Sequence, residues 1–128
     1  MKIKWFVKSR HYKNKKNITE PENLYPITTR ELVDKKAALA PKNLEAWRNF
    51  SKIVFEAGAL SEKTKQLIAV AVAHVTQCPY CIRSHSKSAI QKGASKGEIM
   101  EAIWVAAEMR AGAAYAHATI AMDEMDKH

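Results

Sequence analysis

Cys78 and Cys81 are the only cysteines in this chain. They stand in one tetrapeptide, Cys78-Pro79-Tyr80-Cys81, with His85 four residues beyond. Pro79 disfavours helical dihedrals at Cys78 and itself fits the first position of a helix, so Cys78 reads as an N-cap and Cys81 as a first-turn residue. Two thiols three apart at a helix start can close a disulfide with little backbone movement. The unsatisfied N–H groups and positive dipole end of the helix favour thiolate there. His85, one turn past Cys81 on the same face, can accept the thiol proton or stabilise the anion as imidazolium. A thiolate so formed can attack a peroxide oxygen and become a sulfenic acid, with which the second thiol can condense to a disulfide.

Other readings compete. The cysteines can be buried small hydrophobes. They can bind zinc together with His74 and His85. An unbroken helix from 74 to 85 would spread that set over roughly 16 Å, and the break at Pro79 is what keeps the zinc reading open. Cys-Pro-Tyr-Cys is also the tetrapeptide of many glutaredoxins, but that fold needs a strand before the motif, and the flanks hold too few strand candidates. His74 is either a member of a proton relay or a satisfied core histidine. Gln66 can hydrogen-bond into the site, though an amide cannot act as a base. Tyr80 can offer its hydroxyl or simply pack. His117, beside Tyr115, reads as a surface or subunit-contact residue, and Trp104 and Met109 as core or interface.

The elements that must position these residues are helices. Thr28 or Thr29 can cap a first short helix that Pro41 ends. A second runs from about Asn43 to Ala57, with Leu44, Trp47, Phe50, Ile53, Val54 and Ala57 on one apolar face and Gly58 as its stop. Ser61 caps a third, with Glu62 in the first turn where the dipole favours acid. Within it, Ile68, Val70 and Val72 alternate with alanines as in a strand, but the cap and the alanine content favour helix ending near Thr76 or Gln77. The fourth helix runs from Pro79 to about Lys92, and Gly93 ends it. Ser95 and Glu98 have capping-box spacing and open a last helical stretch reaching about Met125, with Gly112 a candidate bend or close packing point. The class is all-α.

At 128 residues with 47% hydrophobic content and only four glycines and four prolines, the chain suits one folded domain of modest core. The net charge of +8 is concentrated at one end. Residues 1–17 hold seven basic side chains (Lys2, Lys4, Lys8, Arg10, Lys13, Lys15 and Lys16) and no acid, leaving +1 for the other 111 residues. This is the pattern of an arm that visits nucleic acid or anionic lipid, or of a solvated extension. The second is the expectation, with Trp5, Phe6 and Val7 suggesting that part of the arm docks. No apolar run reaches the roughly 18 residues of a membrane span, and no apolar h-region follows the basic start. A cytoplasmic protein is expected, where paired cysteines are reactive or metal-binding rather than structural staples.

The stretch Lys65-Gln66-Leu67-Ile68-Ala69-Val70-Ala71-Val72-Ala73-His74, followed by Gln77-Cys78-Pro79-Tyr80-Cys81 and His85, resembles the AhpD-like branch of the carboxymuconolactone decarboxylase family. Gly93-Ala94-Ser95 and Glu98-Ile99 through the Ala-rich last helix resemble it too. The resemblance covers residues 40–122. It implies an all-α, AhpD-like helical bundle that assembles into homo-oligomers, trimers or hexamers; with the layout above, the domain is expected over residues 27–128, behind a basic extension of residues 1–26. The resemblance implies a thiol-dependent oxidoreductase of the peroxiredoxin kind; the expectation is that it takes a hydroperoxide and is recycled by an external dithiol donor, without cofactor, metal, membrane or nucleic-acid partner. Cys81 would be the attacking thiolate, Cys78 the resolving thiol and His85 the proton acceptor. The family's relay often begins with a glutamate at the position of Gln66, and some members carry histidine at the position of Tyr80. His74 is the candidate substitute in the relay. The alternatives are a non-catalytic or zinc-binding helical oligomer, or a decarboxylase of the same superfamily. Those decarboxylases do not depend on a cysteine pair.

Overall fold

The computed structural model describes residues 25–128, so the basic residues 1–17 and nearly all of the expected extension lie outside the described residues. Among the described residues every regular element is helical: α1 (Arg30–Leu39), α2 (Pro41–Phe55), α3 (Glu62–Val75), α4 (Pro79–Gln91), α5 (Lys96–Ala116) and α6 (Ala118–Met125). None of these helices is long and apolar enough to cross a membrane. The ambiguous alternation around Val70 is helix, inside α3.

Side chains at the helix starts explain the boundaries. Thr29 accepts the Leu32 N–H at 3.3 Å and Ser61 the Thr64 N–H at 3.1 Å, each satisfying a donor that the helix leaves free. Pro41 opens α2 as its first residue, two positions before the expected start, because a proline needs no N–H partner there. Ser95 and Glu98 form a full capping box, with reciprocal bonds of 3.1 and 2.7 Å. Lys63 of α3 reaches the same Glu98 carboxylate at 2.8 Å. The Lys63 ammonium first, and the Ser95 N–H second, lower the Glu98 pKa to about 2. Gly112, the candidate bend or close packing point, lies inside the unbroken helix α5. A Cβ there would meet only the Glu108 carboxylate, at 3.4 Å, so no other element packs closely on it. The break falls at His117, whose carbonyl takes the Ile120 N–H at 3.0 Å in a tighter i to i+3 bond.

Helix α3 is the centre, packed against α4 on one side and α5 on another. Val70 is fully buried and joins Ala89 and Ala94, with Leu67, Ile99 and Ile103 around them; Ala73 and Ala106 are also buried. Alanine at so many contacts lets the helix backbones approach closely. The large apolar side chains lie elsewhere. Trp47 on α2 is 63% exposed and Trp104 on α5 is 69% exposed, and Phe50, Ile53, Val105 and Met109 are exposed as well.

Two turns that share one long backbone hydrogen bond join the central helices. After α4, Gly93 sits at φ +86° and the Ala94 N–H returns to the Ala89 carbonyl at 2.9 Å. After α3, Gln77 sits at φ 55° and the Cys78 N–H returns to the Ala73 carbonyl at 3.1 Å. Both carry the outer bond of a Schellman ending, whose left-handed residue is usually glycine; the α4 ending also has the inner bond, from the Gly93 N–H to the Ile90 carbonyl at 3.0 Å. Gln77 carries the steric cost of a Cβ there, about 1–2 kcal/mol. Its amide recovers part of this by donating to the His74 carbonyl at 2.6 Å. Gln77→Gly should therefore stabilise the fold by about 0.5–1 kcal/mol, read from the denaturation midpoint of the oxidised protein; a loss of stability would show that the amide bond outweighs the strain.

Candidate active site

The ending of α3 and the beginning of α4 share Cys78. Its N–H closes the Schellman turn and its carbonyl accepts the Ile82 N–H at 2.9 Å. Its sulfur accepts the Cys81 N–H at 3.3 Å, so this cysteine caps α4 with Sγ where a serine would use its hydroxyl. Cys78 and Cys81 are joined by a disulfide, with their Cα atoms 5.3 Å apart. The two sulfurs have different surroundings. Cys81 lines a cavity of about 430 Å³ formed by Val54 and Phe55 of α2, a stripe of α3 and His85 of α4, whereas Cys78 remains outside it at the cap.

His85 lines the same cavity as Cys81, one helical turn away. Its Nδ1 lies 2.9 Å from Oε1 of Gln66, which is only 7% exposed. With the carboxamide in this orientation the oxygen can only accept. Nδ1 therefore carries the proton, and Nε2 keeps the lone pair. The Phe55 ring leans over the imidazole, with centroids 5.2 Å apart and planes inclined by 31°. Burial lowers the His85 pKa below the usual value of 6.5, so the ring is neutral near pH 7 and able to take a proton. Just below pH 6.5 the unfolded chain binds a proton that folded His85 still refuses. Through this residue, stability falls as pH drops across that window.

The other residues singled out in the sequence are placed differently. His74 donates from Nδ1 to the Val70 carbonyl at 2.7 Å and lines a second cavity of about 580 Å³, with Gln77, Ile103, Ala106 and Arg110. It does not line the Cys81 cavity. Tyr80 donates its hydroxyl to the Pro26 carbonyl at 3.0 Å, and its ring meets Tyr25 edge to face at 6.1 Å. It ties the segment before α1 to the cysteine turn. Among the described residues no three His, Cys, Asp or Glu side chains converge as a metal site would require. His117 stands exposed at the α5–α6 break.

Two cations that sequence reading passed over hold the site together. Lys65 donates to the Val54 and Glu56 carbonyls at 2.8 and 2.6 Å, capping the free end of α2 over the cavity. Arg110 of α5 donates to the His74 and Val75 carbonyls at 3.4 and 3.3 Å, capping α3 just before the cysteine turn. The cavity stripe itself had a signal. Lys65, Ile68, Ala69, Val72, Ala73 and Thr76 recur at three and four, as one helix face must.

Residues 41–124 match the model of the carboxymuconolactone decarboxylase family, and the chain belongs to that family. A Paracoccus denitrificans protein described as uncharacterized protein 4 in the cox locus is 64% identical over 83 residues, which is 65% of this chain and 75% of that protein. A crystal structure from Methanobacterium thermoautotrophicum superposes with a TM-score of 0.65 at 36% identity, covering 70% of this chain and 98% of that one. A carboxymuconolactone decarboxylase family protein from Legionella pneumophila does so with a TM-score of 0.59 at 32% identity, covering 62% and 70%.

The amide at Gln66 makes a pH test. A carboxylate there would accept the same Nδ1 proton and stabilise imidazolium. In Gln66→Glu the acid limb of Cys81 reactivity, followed by alkylation of the reduced protein with iodoacetamide, should move to higher pH by about one unit. An unmoved limb would mean that His85 does not govern the thiol.

Proposed function

We propose that this chain is an AhpD-like thiol peroxidase, a cytoplasmic homo-oligomer that reduces hydroperoxides through Cys81 and Cys78. One observation carries the reading: Cys81 and a neutral, tautomer-fixed His85 share one apolar cavity, while Cys78 stands bonded to Cys81 from outside it. In the reduced chain, Nε2 of His85 takes the Cys81 proton. The thiolate then attacks the terminal peroxide oxygen. The O–O bond breaks, Cys81 becomes a sulfenic acid, and the departing alkoxide takes the proton from His85 to leave as alcohol. Cys78, its sulfur favoured as thiolate by the Cys81 N–H, attacks the sulfenic sulfur. Water leaves, and the disulfide of this structure results. An external dithiol returns both cysteines to thiols, itself becoming a disulfide.

In this reading Gln66 orients the base but passes no proton, and His74 stands apart from the chemistry. The exposed apolar faces of α2 and α5 support the homo-oligomer, since monomers rarely leave this much large apolar surface in water.

One equivalent of hydrogen peroxide or an organic hydroperoxide added to reduced protein should consume two thiols rapidly and lower the mass by two protons. Cys81→Ser should abolish the reaction. Cys78→Ser should allow one turnover and stop at a sulfenic acid that dimedone traps. His85→Asn should slow the first step by about 10²-fold or more. Full activity in both cysteine variants would refute the mechanism.

A further inference from the structure

The Cys81 cavity has an apolar wall and one unneutralised cation. Along α3 it runs from Lys65 to Thr76, eleven residues or about 16 Å of helix. Between those ends stand Ile68, Ala69, Val72 and Ala73, faced by Val54 and Phe55 of α2. Ile68 and Val72 are each about half exposed, so the groove is open to a ligand from solvent. No carboxylate lines it.

Lys65 is fixed in place but not neutralised. Its ammonium has three donors, and two are spent on the backbone carbonyls of Val54 and Glu56. Those bonds hold the head group at the cavity rim and leave a donor and a full positive charge. Among the described residues no acid pairs with it, and the side chain of nearby Glu56 turns to Lys52 instead, at 4.0 Å. His85 is uncharged near neutral pH and offers an anion no competing site.

Resting on the peroxidase reading above, we infer that the substrate is a hydroperoxide of an aliphatic carboxylic acid. Its hydrocarbon body lies on Ile68, Ala69 and Val72, its carboxylate pairs with Lys65, and its peroxide group meets Cys81. The chemical step is unchanged: the acid hydroperoxide becomes the hydroxy acid as Cys81 becomes the sulfenic acid. Lys65 takes no part in it and acts only on affinity and orientation. An apolar wall alone would accept any organic hydroperoxide; the cation is what distinguishes an acid from its ester.

The test compares linoleic acid hydroperoxide with its methyl ester, both below the concentrations at which they aggregate, as oxidants of the reduced full-length protein. The acid should react about tenfold faster, as expected for a charge-assisted bond in a partly desolvated site. Lys65→Arg should keep this ratio and Lys65→Met should bring it to one. A second readout does not depend on peroxide chemistry: laurate, but not methyl laurate, should slow alkylation of Cys81 by iodoacetamide. Equal rates for acid and ester with fast oxidation by hydrogen peroxide would overturn the substrate assignment and leave the peroxidase reading standing. A preference that survives Lys65→Met would overturn the role of Lys65. If no peroxide oxidises the cysteines faster than a small free thiol, the peroxidase reading falls and the substrate with it.

Discussion

One backbone hydrogen bond, from the Cys78 N–H to the Ala73 carbonyl, sets the geometry on which the site rests. It ends α3 and in the same step fixes the residue that caps α4. The two helices therefore return against each other with only Thr76, Gln77 and Cys78 between them. The return brings His85 level with Gln66, nineteen positions earlier in the chain. It also sets Cys81 beside the Ile68–Val72 face. Reinforcement comes from outside the turn: Arg110 of α5 holds the last carbonyls of α3, and Tyr80 holds Pro26. A site built from two helix termini and their caps needs no long loop, and among the described residues none lies around it.

The electrostatics of the site follow from an amide standing where a carboxylate would be the stronger partner. A buried carboxylate beside His85 would draw a proton onto the ring and hold it there. Gln66 gives direction without charge. It fixes which nitrogen carries hydrogen, and the surrounding Phe55 and helix walls then keep the imidazole neutral. The base is thus available at neutral pH, but the Gln66 amide it is bonded to cannot take its proton on. In the peroxidase reaction proposed above it returns to the leaving alkoxide or to solvent.

Much of this was legible in the sequence where a single residue dictates local geometry. Pro79 and Cys78 as N1 and N-cap, Ser61 and Ser95 as caps, and Gly93 as a stop are all decided within a turn of chain, and the structure has them there. The strand-like alternation at Ile68, Val70 and Val72 was ambiguous for a physical reason. Alanine between branched residues gives both faces of α3 an apolar character, and α3 is covered by α4 and α5 on different sides. Gly112 could mean a bend or a close approach because glycine is only permissive; it sits inside α5 with only Glu108 near it. The roles of Lys65, Arg110 and Tyr80 could not be read, since each bonds a carbonyl brought close only by tertiary folding. His74 was undecided between relay and packing, because its side of α3 depends on where α5 lies.

The small core carries a consequence for mass action. Val70 and a few alanines are what the described fold buries, while Trp47, Phe50 and Trp104 stay in water. Whatever covers those side chains binds the folded chain and not the unfolded one. Its binding free energy is then added to the free energy of folding and grows with its concentration. If a second copy of the chain is what covers them, as the homo-oligomer proposed above has it, a dilute sample and a concentrated one will not unfold at the same temperature.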